Sequence, residues 1–210
     1  MQQLRIGAVI LAGGKSSRMG FPKQNLPWRD GTFLTELVKE VEAAGLSCFI
    51  VANDLQHTQV TQKEQNDEQP VKITPDLVPS CGPVSGLVTA FRISSEDALL
   101  VLSCDLPFMD RVQIAKFIEY AQARNDWDVI VAQSEGRIHP LCAVYHRRTQ
   151  VNWEQALLHG QRKLMRTLDE LRVVSLPDEW LDPWAVCNVN TPEEYEQAKL
   201  EEKRRQTGRT

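Results

Sequence analysis

The sequence predicts a three-layer α/β/α domain on a mostly parallel, Rossmann-like sheet, with an antiparallel strand in its C-terminal half. Three observations support this. Apolar runs of strand length alternate with segments whose apolar residues have helical spacing, a pattern typical of a parallel sheet. The 210 residues suffice for one sizeable core and are few for two domains. Two apolar runs flank residues 134–137, a short turn that favours an antiparallel hairpin.

The first half of the chain supplies the alternating elements of the sheet. Residues 6–11 are a continuous apolar run ended by glycine, which indicates a strand buried on both faces. Residues 32–44 place apolar side chains at helical spacing before Gly45, a residue that favours a helix end. Further strands are predicted at residues 47–54 and 71–76.

The middle of the chain continues the pattern. A helix opened by Gly82 and Pro83 is followed by the most apolar strand, which ends at Asp105. Asp110 is then suited to cap a helix that runs to Tyr120. The two strands around the predicted hairpin turn are residues 127–133 and 140–146.

The C-terminal part is predicted to be more irregular. Helical residues 152–171 are broken at Gly160, and short strands are expected at residues 172–177 and 184–190. Residues 191–194 (TPEE) carry the pattern of a capped helix start, with proline at the first helical position. We expect a single domain over residues 1–200 and a charged, disordered tail over residues 201–210.

Composition restricts the classes of function. The net charge of −4 argues against non-specific binding to nucleic acid, which needs an excess of Lys and Arg. The five cysteines are dispersed, with no C-x-x-C pair, and the four histidines do not cluster near them. No apolar run reaches the length of a membrane span. These features predict a cytoplasmic protein with reduced thiols that binds no membrane.

A glycine-rich loop follows the first strand and carries three cations. It reads LAGGKSSRMG from Leu11, and its Gly-Lys-Ser is also the end of a P-loop. A P-loop would need glycine where Val9 stands, so that class is rejected. The G-x-G-x-x-G dinucleotide pattern is absent as well. Glycine-rich backbone with Lys15, Arg18 and Lys23 nevertheless suits a triphosphate.

Polar residues follow several of the predicted parallel strands. Asn53, Asp76 and Asp105 each stand at a carboxyl end, and such ends converge on one crevice of an open α/β sheet. Asp105 is well placed to hold a Mg²⁺ that bridges phosphate oxygens. Taken singly, the two aspartates have structural alternatives: Asp105 could cap the turn before Pro107, and Asp76 could be a turn residue beside Pro75. His139, before Pro140, is more often an orienting or structural residue than an acid or base.

The glycine-rich loop continues as LAGGKSSRMGFPK. Four more segments follow in order along nearly the whole chain: TPDLVPSCGPVSGL, LSCDLPFM, HPLCAVY and NVNTPEEY. These five motifs resemble those of the molybdenum cofactor guanylyltransferase (MobA) family of nucleotidyltransferases, whose loop reads L-A-G-G-x-x-x-R-M-G followed by a lysine. The resemblance implies a nucleotide-diphospho-sugar-transferase-like fold.

The resemblance also implies an activity: transfer of GMP from Mg·GTP to the terminal phosphate of molybdenum-molybdopterin, with release of pyrophosphate. Implied catalytic residues are Lys23, Arg18 and Asp105, with Asp105 holding Mg²⁺. The implied nucleotide-binding residues are Leu11, Ala12, Gly13, Gly14, Lys15, Lys23, Asn53, Asp76 and Asp105. Residues expected near the molybdopterin substrate are Gly82, Asn188, Asn190 and Arg162, the last as a cation in the break between two helices.

Two other interpretations stay open from the sequence. One is another nucleotidyltransferase of the same fold, either a molybdenum cofactor cytidylyltransferase or an enzyme of sugar or isoprenoid phosphates. The other is a nucleotide sensor without catalysis. Because the acceptor phosphate is already an anion, no His or Cys general base is expected, and Cys81 and Cys104 should be dispensable. The family suggests as partners a molybdenum insertion protein and molybdoenzyme apoproteins or their chaperones.

Overall fold

The computed structural model describes residues 3–13, 19, 21–53, 71–79 and 81–208. Within these residues, nine strands are numbered in chain order. They are β1 Ile6–Leu11, β2 Pro27–Trp28, β3 Gly31–Thr32, β4 Cys48–Val51, β5 Lys72–Thr74, β6 Ala98–Ser103, β7 Val129–Ser134, β8 Arg137–His146 and β9 Val173–Ser175. Seven of them form one sheet in the order β5-β4-β1-β6-β8-β7-β9, and β2 pairs with β3 in a small hairpin that the sequence analysis did not predict.

Helices cover both faces of the sheet. Their bounds are α1 Phe33–Ala43, α2 Pro83–Ile93, α3 Arg111–Gln122, α4 Gln150–Leu158, α5 Leu164–Leu168 and α6 Pro192–Thr207, with 3₁₀ turns at Lys23–Asn25, Arg147–Thr149 and Pro183–Val186. One core cluster packs α1 and α3 against the sheet, and a second packs α2, α4 and α5 against the other face. Successive residues of β1 alternate between the two cores, as expected for a strand buried on both sides. The predicted three-layer architecture is therefore confirmed.

The parallel part of the sheet aligns the strand ends that the sequence analysis singled out. Strand β1 pairs in parallel with β4 and with β6, and β4 pairs in parallel with β5. The carboxyl ends of β5, β4, β1 and β6 therefore lie in a row along one edge. Residues following these four strands share that edge.

Strand β8 is antiparallel to both of its neighbours, as the predicted hairpin requires. The turn from β7 has positive φ at Glu135 (50°) and Gly136 (73°), the backbone of a two-residue hairpin matched to strand twist. The pairing then shifts: Val131 pairs with Ala143 but Ala132 pairs with His139, so three residues of β8 bulge out between them.

Helix starts agree with the sequence expectations. The Asp110 carboxylate accepts hydrogen bonds from two backbone N–H groups at the start of α3, and Gly82 precedes Pro83 at the start of α2. Thr191 and Glu194 form the predicted capping box of α6.

Two expectations for the C-terminal part are corrected. Residues 184–190 were expected to form a strand, but the structure has the 3₁₀ turn Pro183–Val186, started by the Asp182 carboxylate accepting from Trp184 N–H. A proline and a side-chain cap favour a turn over a ladder here. Residues 201–207, expected in a disordered tail, continue α6, because Glu201 pairs with Arg204 and Arg205 on one helix face.

Among the described residues, no helix has the length and apolar character needed to cross a membrane.

Candidate active site

Asp105 is the centre of a hydrogen-bond cluster just beyond the end of β6. Its Oδ1 accepts a hydrogen bond from Ser103 Oγ at 2.5 Å and another from Asn188 Nδ2 at 2.6 Å. The Asn188 amide also donates to Ser103 Oγ at 3.2 Å. Two side chains, themselves hydrogen-bonded to each other, thus fix the orientation of one carboxylate.

Lys23 contacts the other side of the same carboxylate. Its Nζ lies 3.4 Å from Asp105 Oδ2 and donates to Asn190 Oδ1 at 2.5 Å. The side chains of Lys23 and Asp105 are 18% and 13% exposed, so the ammonium and the carboxylate meet where water screens them only partly. Sequence analysis assigned Lys23 and Asp105 to the nucleotide and Asn188 and Asn190 to the second substrate, and the structure joins all four in one cluster.

The segment that carries Asn188 and Asn190 is held by its backbone. Val189 N–H donates to the Asp105 carbonyl at 3.0 Å. Asn190 N–H donates to the Glu194 carboxylate, which also accepts from Thr191 N–H at 3.1 Å. The capping box of α6 therefore positions the two asparagines as well as starting the helix.

A hydrophobic cluster rich in aromatic rings packs next to this region. It consists of Leu26, Trp28, Phe33, Phe108, Val189 and Ala198, with Met19, Trp184 and Tyr195 packed against it. Trp28 Nε1 donates to the Pro107 carbonyl at 3.0 Å, and Tyr195 Oη donates to the Pro27 carbonyl at 2.7 Å. The hairpin of β2 and β3 is thereby tied both to the turn after Asp105 and to α6, and it follows directly on the 3₁₀ turn of Lys23.

A second polar pair lies at the ends of β4 and β5. Asn53 Nδ2 donates to Asp76 Oδ2 at 2.7 Å, and Asp76 N–H donates back to Asn53 Oδ1 at 3.1 Å. Asp76 Oδ1 is buried and has no hydrogen-bond partner in the described part of the chain. Burial raises the pKa of Asp76 above its usual range, and the bond from Asn53 only partly offsets this. This oxygen is available to accept a hydrogen bond.

Gly86 adjoins both Leu11 and that oxygen. A Cβ placed on Gly86 would lie 3.1 Å from Leu11 Cδ2 and 3.6 Å from Asp76 Oδ1. Ala12 is buried, and its N–H donates to the Val51 carbonyl at 2.9 Å, which extends the sheet pairing into the loop. Among the residues that the structure describes, no atom lies within 4 Å of a Cβ placed on Gly13. The predicted Gly14, Lys15 and Arg18 lie outside the described residues.

Gly82 and Arg162, two predicted substrate-binding residues, are neighbours in the structure. Gly82 has φ 68° and ψ −162°, a backbone conformation almost restricted to glycine. A Cβ at this position would lie 3.1 Å from the Arg162 carbonyl oxygen. The contact joins the start of α2 to the break between α4 and α5.

The thiols are poor candidates for nucleophiles. Burial raises the pKa of Cys104 to about 12, and burial likewise raises the pKa of Cys142 well above the usual value. Both thiols are therefore protonated near neutral pH. Cys104 and Cys142 are core residues.

The donor set around Asp105 suits a hard divalent cation. The described residues contain no group of three or more His, Cys, Asp or Glu side chains that would enclose a metal. Mg²⁺, however, is usually bound through one or two carboxylates and completed by substrate phosphates and water. The Asp105 carboxylate with the Ser103 hydroxyl beside it matches that pattern. The cluster thus combines a cation, oriented amides and a possible metal ligand, which is the chemistry that transfer between phosphates requires.

Comparison with known proteins gives the class of the chain. The model of the MobA-like NTP transferase domain matches residues 8–174, so the chain belongs to this family and is an enzyme of the nucleotidyltransferase class. A probable molybdenum cofactor guanylyltransferase of Bacillus mycoides (strain KBAB4) is 30% identical over 199 residues, 93% of this chain and 96% of the relative. A protein of the same name from Geobacillus sp. (strain WCH70) is 30% identical, covering 91% and 97%.

Solved structures show the same fold. The molybdopterin-guanine dinucleotide biosynthesis protein A of Archaeoglobus fulgidus superposes with a TM-score of 0.75 at 22% identity, covering 94% of this chain and 99% of that one. Rv0371c of Mycobacterium tuberculosis, solved as a complex with manganese, gives 0.67 at 20% identity, covering 93% and 98%.

Sequence analysis missed two contributors to the cluster. Ser103 is the polar residue at the end of a strand that is otherwise apolar, and that contrast could have marked it. Glu194 was recognised as a capping residue, but the capping pattern did not reveal that its carboxylate also accepts a hydrogen bond from Asn190 N–H.

Proposed function

We propose that the protein is a molybdenum cofactor guanylyltransferase. It transfers GMP from Mg·GTP to the terminal phosphate of molybdenum-molybdopterin, releasing pyrophosphate and forming a guanine dinucleotide. The observation that carries the proposal is the convergence of Lys23, Asp105, Asn188 and Asn190 on one edge of the sheet. The names of the curated relatives, which align along almost the whole chain, support the same activity.

The proposed reaction requires stabilisation of negative charge and does not require a general base. An oxygen of the acceptor phosphate attacks the α-phosphorus of GTP, and the bond to the pyrophosphate oxygen breaks. Two anions must approach, and charge then grows on the leaving group. Lys23, already partly desolvated, supplies a positive charge at this point. Its contacts with Asp105 and Asn190 hold the flexible side chain near the reacting phosphates.

Asp105 is the residue that would hold the divalent metal, which we propose is Mg²⁺. When bound, the metal would neutralise charge on the nucleotide phosphates. The bonds from Ser103 and Asn188 fix the carboxylate in place. These two residues are therefore expected to act on metal affinity through Asp105.

The nucleotide is proposed to lie along the row of strand ends next to Asp105. This edge includes Leu11 at the end of β1 and Ala12 and Gly13 at the start of the loop. We propose that three further residues of the loop contact phosphate: Gly14, Lys15 and Arg18. Asn53 and Asp76 are proposed to surround the base and ribose. Asp76 Oδ1, which has no hydrogen-bond partner among the described residues, supports this role, because a buried acceptor gains most from a ligand donor.

The acceptor is proposed to approach from the other side of Asp105. Asn188, which bonds to Asp105 Oδ1, and Asn190, which bonds to Lys23, are proposed to contact it. The segment where Gly82 meets Arg162 is proposed to contact its phosphate. We further propose that residues 1–200 act as one nucleotidyltransferase domain.

The test is nucleotide selectivity with and without acceptor. The full chain is incubated with GTP, CTP, ATP or UTP, Mg²⁺ and molybdenum-molybdopterin, and released pyrophosphate is measured. The proposal predicts pyrophosphate with GTP only, and only when the acceptor is present. Release with CTP would instead indicate a cytidylyltransferase. Binding of a nucleotide without turnover, seen as a rise in Tm, would indicate a sensor; a ligand at a hundred times its Kd adds about 2.7 kcal/mol of stability.

A further inference from the structure

A small cavity adjoins the Asp105 cluster. It has a volume of about 210 Å³ and lies between the end of β6 and the first half of β8. Its lining residues are Ser103, Leu106, Ile138, His139, Pro140, Leu141, Cys142 and Asn188. Two of these, Ser103 and Asn188, are also the residues that donate hydrogen bonds to Asp105 Oδ1. The cavity and the cluster therefore share a wall.

The bulge in β8 shapes this cavity. Three residues from Pro140 to Cys142 have no partner in β7, because the pairing shifts by three between Val131 and Ala132. Tyr145 Oη donates to the Pro140 carbonyl at 2.7 Å, and so satisfies a backbone group that the bulge frees. Bulges beside active sites commonly re-aim side chains. Here the bulge lies between the hairpin and Asp105, and it brings His139 into the wall of the cavity.

One ring nitrogen of His139 makes a hydrogen bond to a neighbouring side chain. Its Nε2 lies 2.7 Å from Ser134 Oγ across the hairpin, which fixes the plane of the ring. Nδ1 has no hydrogen-bond partner among the residues that the structure describes. Burial lowers the pKa of His139, so the imidazole is neutral near pH 7. A neutral imidazole with one nitrogen engaged offers a single donor or acceptor at the other.

The dimensions of the cavity restrict its occupant. Sites for drug-sized ligands usually exceed about 300 Å³, so 210 Å³ accommodates a ring system rather than a complete pterin phosphate. Apolar side chains form most of the wall, and three polar groups interrupt it: the Ser103 hydroxyl, the Asn188 amide and the His139 imidazole. This combination suits a flat heterocycle whose edge carries both donors and acceptors.

We propose that this cavity binds the heterocyclic ring of the acceptor, and that His139 is a specificity-determining residue whose Nδ1 hydrogen-bonds to the ring edge. The inference rests on the proposed function, which places the acceptor phosphate beside Asp105. Ser134 is then a positioning residue that orients the imidazole.

Two substitutions of His139 separate ring recognition from a structural role. An asparagine amide occupies roughly the place of Nδ1, whereas a glutamine amide occupies roughly the place of Nε2. His139→Gln keeps a partner for Ser134 and loses the group at Nδ1; His139→Asn does the reverse. His146→Gln is the matched control, since His146 ends the same strand and lines a different cavity.

The assay is steady-state nucleotidyl transfer by the full chain, with acceptor and GTP varied separately. His139→Gln should raise the KM for the acceptor roughly three- to tenfold, the fold-change of one neutral hydrogen bond. His139→Asn should raise it less, and the KM for GTP should stay unchanged in both. The inference is overturned if His139→Asn impairs the acceptor KM as much as His139→Gln, or if neither substitution changes it.

A second measurement separates this inference from the proposed function. The probe is 6-hydroxymethylpterin, which has the ring and no phosphate, and its binding is followed by fluorescence quenching. Quenching by wild type that weakens in His139→Gln supports the ring site even if no GMP transfer is found. No quenching by wild type overturns the ring site even if GMP transfer is found.

Discussion

Replacing Gly82 by alanine tests how tightly the start of α2 is constrained. Gly82 has φ 68° and ψ −162°, a region in which a side chain costs on the order of 1–3 kcal/mol. The new Cβ would also lie 3.1 Å from the Arg162 carbonyl oxygen, closer than ordinary contact. Both effects destabilise the folded state. We expect a loss toward the upper part of that range.

The expected shift in Tm follows from the size of the chain. For a domain of this length, 1 kcal/mol corresponds to a change of about 2–4 °C, so Gly82→Ala should lower Tm by roughly 4–12 °C. The free energy of unfolding is best measured by urea denaturation, with Tm as a second readout.

Gly45→Ala is the matched control. Gly45 also has a positive φ, 79°, but no described residue has an atom within 4 Å of its Cβ position. The substitution should therefore cost only the left-handed conformation, about 1–2 kcal/mol. If Gly82→Ala destabilises no more than Gly45→Ala, the reasoning about the contact with Arg162 is refuted.

Two further predictions concern single side chains of the site. Because burial raises the pKa of Asp76, the folded state holds that proton more tightly than the unfolded chain, and the resulting stability is present at low pH and lost as pH rises. Asp76→Asn should therefore raise the Tm of the ligand-free protein at pH 7 and give no gain near about pH 3.5; an equal gain at both values would contradict this. Arg162→Ala should raise the KM for the acceptor by roughly three- to tenfold without changing that for GTP, whereas Arg166→Ala in α5 should change neither. An unchanged acceptor KM in Arg162→Ala rejects its role.

The parallel half of the fold could be predicted from the sequence because its signals are local and strong. Apolar runs such as Ile6–Leu11 and Ala98–Ser103 are buried on both faces and leave little alternative to a parallel strand. The helix starts at Asp110 and Thr191 carry cap patterns whose side chains act within one turn. Elements whose stability is encoded within a few residues were the ones predicted correctly.

The elements that the sequence analysis missed or predicted wrongly are those whose structure depends on contacts the hydrophobic pattern does not show. The hairpin of β2 and β3 has only two residues per strand, and Trp28 stabilises it through packing and a bond to Pro107, which is distant in sequence. Residues 184–190 are as apolar as a strand, but the Asp182 cap and Pro183 turn the backbone. Neither outcome is visible in hydrophobic periodicity.

The sequence predicted which strand ends would meet, but not the hydrogen bonds between the side chains that follow them. Convergence of strand ends correctly placed Asn53 beside Asp76. It did not reveal that Asn188 bonds directly to Asp105, or that Lys23 bridges Asp105 and Asn190, since both contacts join segments more than eighty residues apart. The bulge in β8 is likewise a matter of sheet register, which a single strand's sequence does not specify.

The central claim is that Asp105 organises nucleotidyl transfer, and one measurement tests it most directly. The rate of pyrophosphate release from saturating Mg·GTP and acceptor is compared between wild type, Asp105→Asn and the control Asp110→Asn. Asparagine caps a helix about as well as aspartate, so the control should keep wild-type activity and stability. Asp105→Asn should remain folded and lose about 10²–10³ in rate, the usual effect of removing one electrostatic stabiliser. A folded Asp105→Asn enzyme that keeps more than about a hundredth of the wild-type rate would contradict the account.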